Sequence, residues 1–209
     1  MKTTVVRTIA TVGLAGFAAL GLSGVAHAEM FGDPDGMAGW TTRQAYNDCA
    51  IMAAADVIGQ MTGDEPAEDD IVAYASNTPS VSRPGDWIYD NEDDGQGHTA
   101  GSIFEDLPIV LAHYGVAGKY VEGADLTSVE QVLGRGGAVI VNLNSETIWD
   151  VDGDRSVPDH ALVVTGVDTD NGIVHLNDSG TDDGADEQVS IDTFTAAWQT
   201  SGNEMIATS

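Results

Sequence analysis

The chain contains a single cysteine, Cys49, in the run Tyr46-Asn47-Asp48-Cys49-Ala50-Ile51-Met52-Ala53-Ala54-Ala55. A thiol acts as a nucleophile through its thiolate, which the positive end of a helix and its unpaired backbone N–H groups favour. Asn47 and Asp48 are good N-cap residues. Residues 49–61 are rich in Ala, Ile, Met and Val at helical spacing, which predicts a mostly buried helix with Cys49 in its first turn. The other reading of a lone thiol is a buried structural cysteine. Catalysis would need an imidazole nearby to take the thiol proton and later protonate a leaving amine, and a third polar group to hold the ring's tautomer.

Of the five histidines, His27 falls in the N-terminal segment read below as an export signal. His98 lies in the loop Gly95-Gln96-Gly97-His98-Thr99 and could line a cleft, His113 lies in a helical stretch, and His175 sits inside an apolar strand. His160 follows Pro158-Asp159 and opens Ala161-Leu162-Val163-Val164, the start of a buried strand, where a side chain is held firmly. Asp170-Asn171-Gly172 reads as a tight hairpin turn into Ile173-Val174-His175-Leu176. That turn returns Asn177-Asp178-Ser179 antiparallel to the neighbourhood of His160. Asp178 can then accept the ring N–H; alternatively it caps the strand end as an Asx turn.

The elements that must position these groups fall into two halves. Helices are expected over residues 49–61, 66–76 (opened by Pro66), 102–114 (with Gly115 as C-cap) and 127–133 (entered through a Thr127 cap, with Glu130 at the capping-box position). Residues 77–101 read as loop. Strands are expected at 119–122, 138–143, 161–167, 173–176, 188–191 and 204–207, with a helix capped by Asp192 running to Trp198. Helices first and antiparallel strands later describe an α+β domain.

The residues Gln44…Asp48-Cys49, then Asp159-His160-Ala161-Leu162-Val163-Val164-Thr165-Gly166, then His175-Leu176-Asn177-Asp178-Ser179 resemble the C39-like peptidases of the papain-like superfamily. The resemblance runs from about Trp40 to the C-terminus. It implies a papain-like fold with a helical half carrying the cysteine and a β half carrying the histidine. It also implies Cys49 as nucleophile, His160 as general acid/base and Asp178 as the orienting residue. Gln44, together with the backbone N–H of Cys49, would be the oxyanion donor. The chain departs from the pattern where Gln44 stands five residues before Cys49, one fewer than usual, and where Ala50-Ile51 replaces a Gly-Pro. It also lacks the transporter to which members acting in bacteriocin export are fused.

Residues 1–28 read as a secretory signal: Lys2 and Arg7, an apolar stretch from Ile9 to Val25, and Ala26-His27-Ala28 at the cleavage position. An uncleaved membrane anchor is the alternative. Cleavage leaves a short segment, 29–39, ahead of a domain at 40–209, and a secreted or cell-envelope location without stable membrane insertion is expected. The net charge of −27 over 209 residues opposes binding to nucleic acid or anionic membranes, both of which need basic patches. It fits a solvated surface and, as a sharper reading, attraction of cationic substrates.

Asp150-Val151-Asp152-Gly153-Asp154 carries alternating carboxylates, but Arg155 and Ala161 occupy the positions where an EF-hand loop needs glycine and a carboxylate, so it reads as a solvated turn. The histidines show no zinc-ligand spacing, and no metal or organic cofactor is expected. Trp149, close to the His160 strand, is the tryptophan most suited to a cleft wall. These readings predict a thiol hydrolase that cleaves a peptide or amide bond. The rival readings are a catalytically idle binding module on the same fold, and a thiol acyltransferase or cell-wall peptide hydrolase.

Overall fold

The computed structural model describes residues 29–93 and 99–209. The expected signal at 1–28 and His98 lie outside these residues. The expected helix around the cysteine is α2 (Cys49–Thr62), and residues 50–59 of it are all buried. Small alanines at 50 and 53–55 let neighbours approach it on every side. It stops at Gly63, whose φ of 77° lets its N–H reach the Gly59 carbonyl. Helix α3 (Glu68–Ser76) follows, with Glu68, Asp69 and Asp70 in its first turn.

Part of the stretch expected as loop pairs instead. β2 (Tyr89–Asp93) and β3 (Thr99–Ser102) form a two-stranded antiparallel sheet with an irregular register between Asp90 and Asp93. The pairing was hidden because this acidic, glycine-rich run has no apolar alternation to mark it. Its anchor is the preceding Ile88, fully buried, whose carbonyl accepts from Ile103 N. Helix α4 (Leu107–His113) starts later than expected, after a 3-10 turn at Phe104–Asp106.

The second half is built on a seven-stranded sheet. Its strands are β4 (Gly118–Val121), β5 (Val139–Leu143), β6 (His160–Asp168), β7 (Ile173–Asn177), β8 (Glu187–Ser190) and β9 (Met205–Thr208), in the order β4-β9-β5-β6-β7-β8, all antiparallel. The seventh, β1 (Met30–Gly32), pairs with the far end of β6 and is followed by α1 (Pro34–Met37). The segment expected as a mere lead-in is therefore part of the sheet.

Two helix caps differ from expectation. Helix α5 (Leu126–Leu133) is capped by Asp125, which accepts from Ser128 N, rather than by Thr127. A short α6 (Ser145–Ile148) is capped by Asn144, and α7 (Ile191–Trp198) by Ser190 rather than Asp192. In both corrected cases an equally good capping side chain stands two residues away, so residue type alone does not choose between them.

The sheet is covered on both faces. Ile140, Ala161 and Val163 join one core with α2 and α4. Val139, Val141, Leu162, Val164, Val174 and Leu176 join the other with α5 and α7. This two-sided burial explains why eight of the nine β6 residues are buried, giving a continuous apolar run rather than an alternating one.

Candidate active site

Cys49 is the first residue of α2, a free and partly exposed thiol. His160 is the first residue of β6, in register with Leu143 of β5. Because α2 packs across β5 and β6, the two meet: thiol and imidazole face the same cavity. The His160 Nε2–H donates to Asp178 Oδ1 over 2.7 Å, which leaves Nδ1 for the thiol. The ring is buried, and Asp178 is buried behind it. Cys49 and His160 line one cavity of about 270 Å³ with Asn47, Phe104, Asn142 and Asp159.

The turn after β7 holds Asp178 from several sides. Its N–H donates to the Gly184 carbonyl (2.8 Å), Gly180 N donates to its Oδ1 (2.6 Å), and the Trp149 indole N–H donates to its Oδ2 (2.9 Å). Trp149 also packs on the imidazole, with ring centroids 5.1 Å apart. A Cβ at Gly180 would sit 2.9 Å from Asp178 Oδ1, from His160 Cε1 and from Trp149 Cζ2, so only glycine allows this closure.

The electrostatics follow from these contacts. Burial pushes the Asp178 carboxyl up, but the His160 hydrogen bond and charge, the Gly180 N–H and the Trp149 indole outweigh it, so the group is held below the ordinary carboxylate value. For His160, burial disfavours the imidazolium. Hydrogen bonds to Asp178 and Cys49, with their charges, win, and the imidazole is raised to about 10. The arrangement thus favours a protonated ring beside the Asp178 carboxylate.

Gln44, the expected oxyanion donor, bonds to Ser179 and Tyr46 and is not among the residues that line the cavity shared by Cys49 and His160. Its backbone N–H donates to the Ser179 carbonyl (3.0 Å), its Oε1 accepts from Ser179 Oγ (2.9 Å) and its Nε2 donates to the Tyr46 carbonyl (2.9 Å). It ties the loop before the cysteine to the turn that carries Asp178. Asn47, which the sequence marked only as a cap, faces the cavity instead.

Asp48 occupies the N-cap position but makes no capping bond. It is fully buried, and both its carboxylate oxygens lack a donor among the described residues. Burial first, then the neighbouring Glu68 carboxylate, push it up to about 7. Glu68 in turn accepts from Ala45 N (2.6 Å) and Tyr46 N (3.3 Å), which fixes the loop.

Of the described histidines, His113 and His175 stand apart from this site. His113 stacks on Tyr74, with centroids 3.8 Å apart. His175 Nδ1 pairs with Asp186 Oδ1 at 2.6 Å. The acidic turn is an exposed feature in which Arg155 bonds Asp150 Oδ1 at 3.1 Å. Three contributors escaped sequence reasoning: Gly180, the Asp48–Glu68 contact and the buried pair Asp56–Asn177. Only Gly180 carried a local signal, its place in Asp178-Ser179-Gly180.

The α+β, papain-like fold, with a helix-borne thiol set against a strand-borne imidazole, defines a cysteine-peptidase-type scaffold. Family comparison agrees: residues 37–206 match the sequence model of the Peptidase_C39 like family, and the chain belongs to that family. Two similar relatives, one from Mycobacterium tuberculosis and one from Mycobacterium bovis, are each 46% identical over 216 residues, covering 93% of this chain and 92% of their own; both are described as uncharacterised. A solved chain from Bacillus anthracis, provisionally described as a C39-like peptidase, superposes with a TM-score of 0.63 at 15% identity, over 87% of this chain and 98% of that one. At that identity the likeness speaks for the fold. Among the described residues, no helix is long and apolar enough to cross a membrane.

Proposed function

We propose that the protein is an exported thiol hydrolase that cleaves a peptide or amide bond through Cys49, His160 and Asp178. The observation that carries this reading is one cavity lined by both the Cys49 thiol and an imidazole whose far nitrogen is held by Asp178 at 2.7 Å. Sγ of Cys49 attacks the carbonyl carbon, and its proton resides on His160. The tetrahedral oxyanion meets the backbone N–H of Cys49, which at the first helical position has no intrahelical acceptor. Gln44 is the second donor in this reading, through the Nε2 hydrogen that Tyr46 does not use. As the C–N bond breaks, His160 protonates the leaving amine. Water then attacks the thioester carbon, His160 takes its proton, and the C–S bond breaks to release the acid and the thiol.

Export rests on residues 1–28, and the acidic surface suits an extracellular life. Mass spectrometry of a peptide mixture incubated with the protein tests the chemistry. The expected result is amide cleavage together with a trapped acyl adduct on Cys49, both absent in Cys49→Ala. Cleavage that persists in Cys49→Ala, or no cleavage and no adduct over a broad peptide mixture, contradicts it.

A further inference from the structure

A carboxyl group that the mechanism does not use stands behind Asp178. Glu187 opens β8 and is in register with Leu176 of β7. Cross-strand partners share a sheet face, and Leu176 belongs to the core under α7, so Glu187 points to that face. Asp178 is two residues beyond Leu176, which makes Glu187 its diagonal neighbour on the same side. The Asp178 charge acts directly on Glu187, and Glu187 Oε2 is sealed from solvent without a donor among the described residues. Two carboxylates cannot bond each other, since both only accept; the contact becomes a hydrogen bond when one carries a proton.

Asp178 has room for that bond. Its oxygens offer about four lone-pair sites, and three are taken by His160, Gly180 and Trp149. We propose that Glu187 is a positioning residue for the hydrolase reading: as the protonated acid it donates the fourth hydrogen bond to Asp178 and so keeps that carboxylate on His160. Burial, then the charge of Asp178 and the contact with it, raise Glu187 to about 7, while His160 acts in the opposite direction. Of the titratable groups on elements packed against β8, Asp178 and His160 face Glu187. His175, paired with Asp186, projects from the other face of β7, and Asp192 on α7 is exposed. The proton therefore belongs on Glu187 rather than on Asp178, which is held low by its three donors. Above neutrality Glu187 ionises and the bond becomes a repulsion.

The proposal rests on the hydrolase reading, but its test does not depend on turnover. The carboxyl carbon of Glu187, followed by NMR in the unaltered protein, is expected to report the acid form at mildly acidic pH and to titrate near 7. The downfield Nε2–H proton of His160 is expected to broaden over the same range. In Glu187→Gln, which donates an N–H and cannot ionise, that proton should persist through the range; in Glu187→Ala it should be weakened at every pH. A Glu187 carboxyl already ionised at mildly acidic pH, or a His160 proton identical in all three proteins, overturns the proposal. If iodoacetamide labels Cys49 equally fast with and without His160, the hydrolase reading fails while the NMR titration still decides the Glu187–Asp178 bond.

Discussion

Asn177 Nδ2 donates to Asp56 Oδ2 over 2.8 Å, and that bond joins the end of the strand carrying Asp178's turn to the helix carrying Cys49. The same amide reaches the Met37 carbonyl (2.9 Å), and Asp56 accepts from Gln60 Nε2 (2.6 Å). Three segments far apart in sequence are thereby locked beside the dyad. Both side chains are buried, where a hydrogen bond counts for more and an unpaired group costs more.

Asn177→Ala leaves a buried Asp56 oxygen without its donor. The expected cost is about 1–3 kcal/mol of stability, read from urea unfolding, with a lower kcat because α2 is freed from β7. A variant as stable and as active as the parent would remove the brace from the account.

Stability should fall as the pH rises from mild acid through neutrality. Burial raises Asp56 from 3.8 to about 7, and burial with Glu68 does the same for Asp48. A group whose folded value lies above its unfolded one contributes stability that is fully present below the unfolded value and lost as pH rises through the folded one. For these two the window runs from 3.8 to about 7, at up to about 1.4 kcal/mol per pH unit per group. Asp178 and Asp106, both held low, work in the opposite direction and lose their contribution as pH falls. Melting temperatures should therefore peak in mild acid. A melting temperature that climbs steadily from mild acid into alkali contradicts this.

Gly180→Ala drives a methyl to 2.9 Å from Asp178 Oδ1, His160 Cε1 and Trp149 Cζ2. Overpacking of this kind costs about 1–3 kcal/mol, and a misplacement of about 1 Å at a reacting group can cost 10²-fold in rate. Kinetics should show the loss in kcat more than in KM. An alanine variant with unchanged kcat would mean that the turn gives way without moving His160.

Gln44→Ala removes the link to Ser179 and Tyr46 and, in the proposed mechanism, an oxyanion donor. Loss of one such donor costs about 10²–10³ in kcat. Gln44→Glu retains the acceptor for Ser179 but not the N–H, so an equal loss in both variants assigns the effect to the donor. Full activity in the glutamate variant leaves Gln44 as a tether alone.

The parts of the site read most directly from sequence were those set by local pattern. Cys49 sits at the head of an apolar helical run, and His160 and Asp178 are brought together by the Asp170-Asn171-Gly172 hairpin, both by short-range rules, whereas Cys49 meets His160 through the packing of α2 on the sheet. The turn sets the register as far as Gly166, where a bulge that the sequence did not mark shifts the pairing by one residue. The β2–β3 pair escaped because its strands are acidic and glycine-rich, without the alternation that marks a half-buried strand. The caps at Asp125 and Ser190 were missed because Thr127 and Asp192, two residues further on, are also capping residues. Gln44 was named through the family resemblance, despite a spacing one residue short, but its side chain is directed by Ser179, 135 residues away. Glu187 and Asp56 carry no local signal, since an acidic residue in an acidic chain says nothing until the sheet register shows what it faces.

The central claim is that His160 activates Cys49, and the rate of iodoacetamide alkylation of Cys49 as a function of pH tests it most directly. The account predicts labelling in mild acid at least about tenfold faster than a free thiol, an advantage abolished in His160→Ala although the variant remains folded. Labelling no faster than a free thiol, unchanged when His160 is removed, would contradict it.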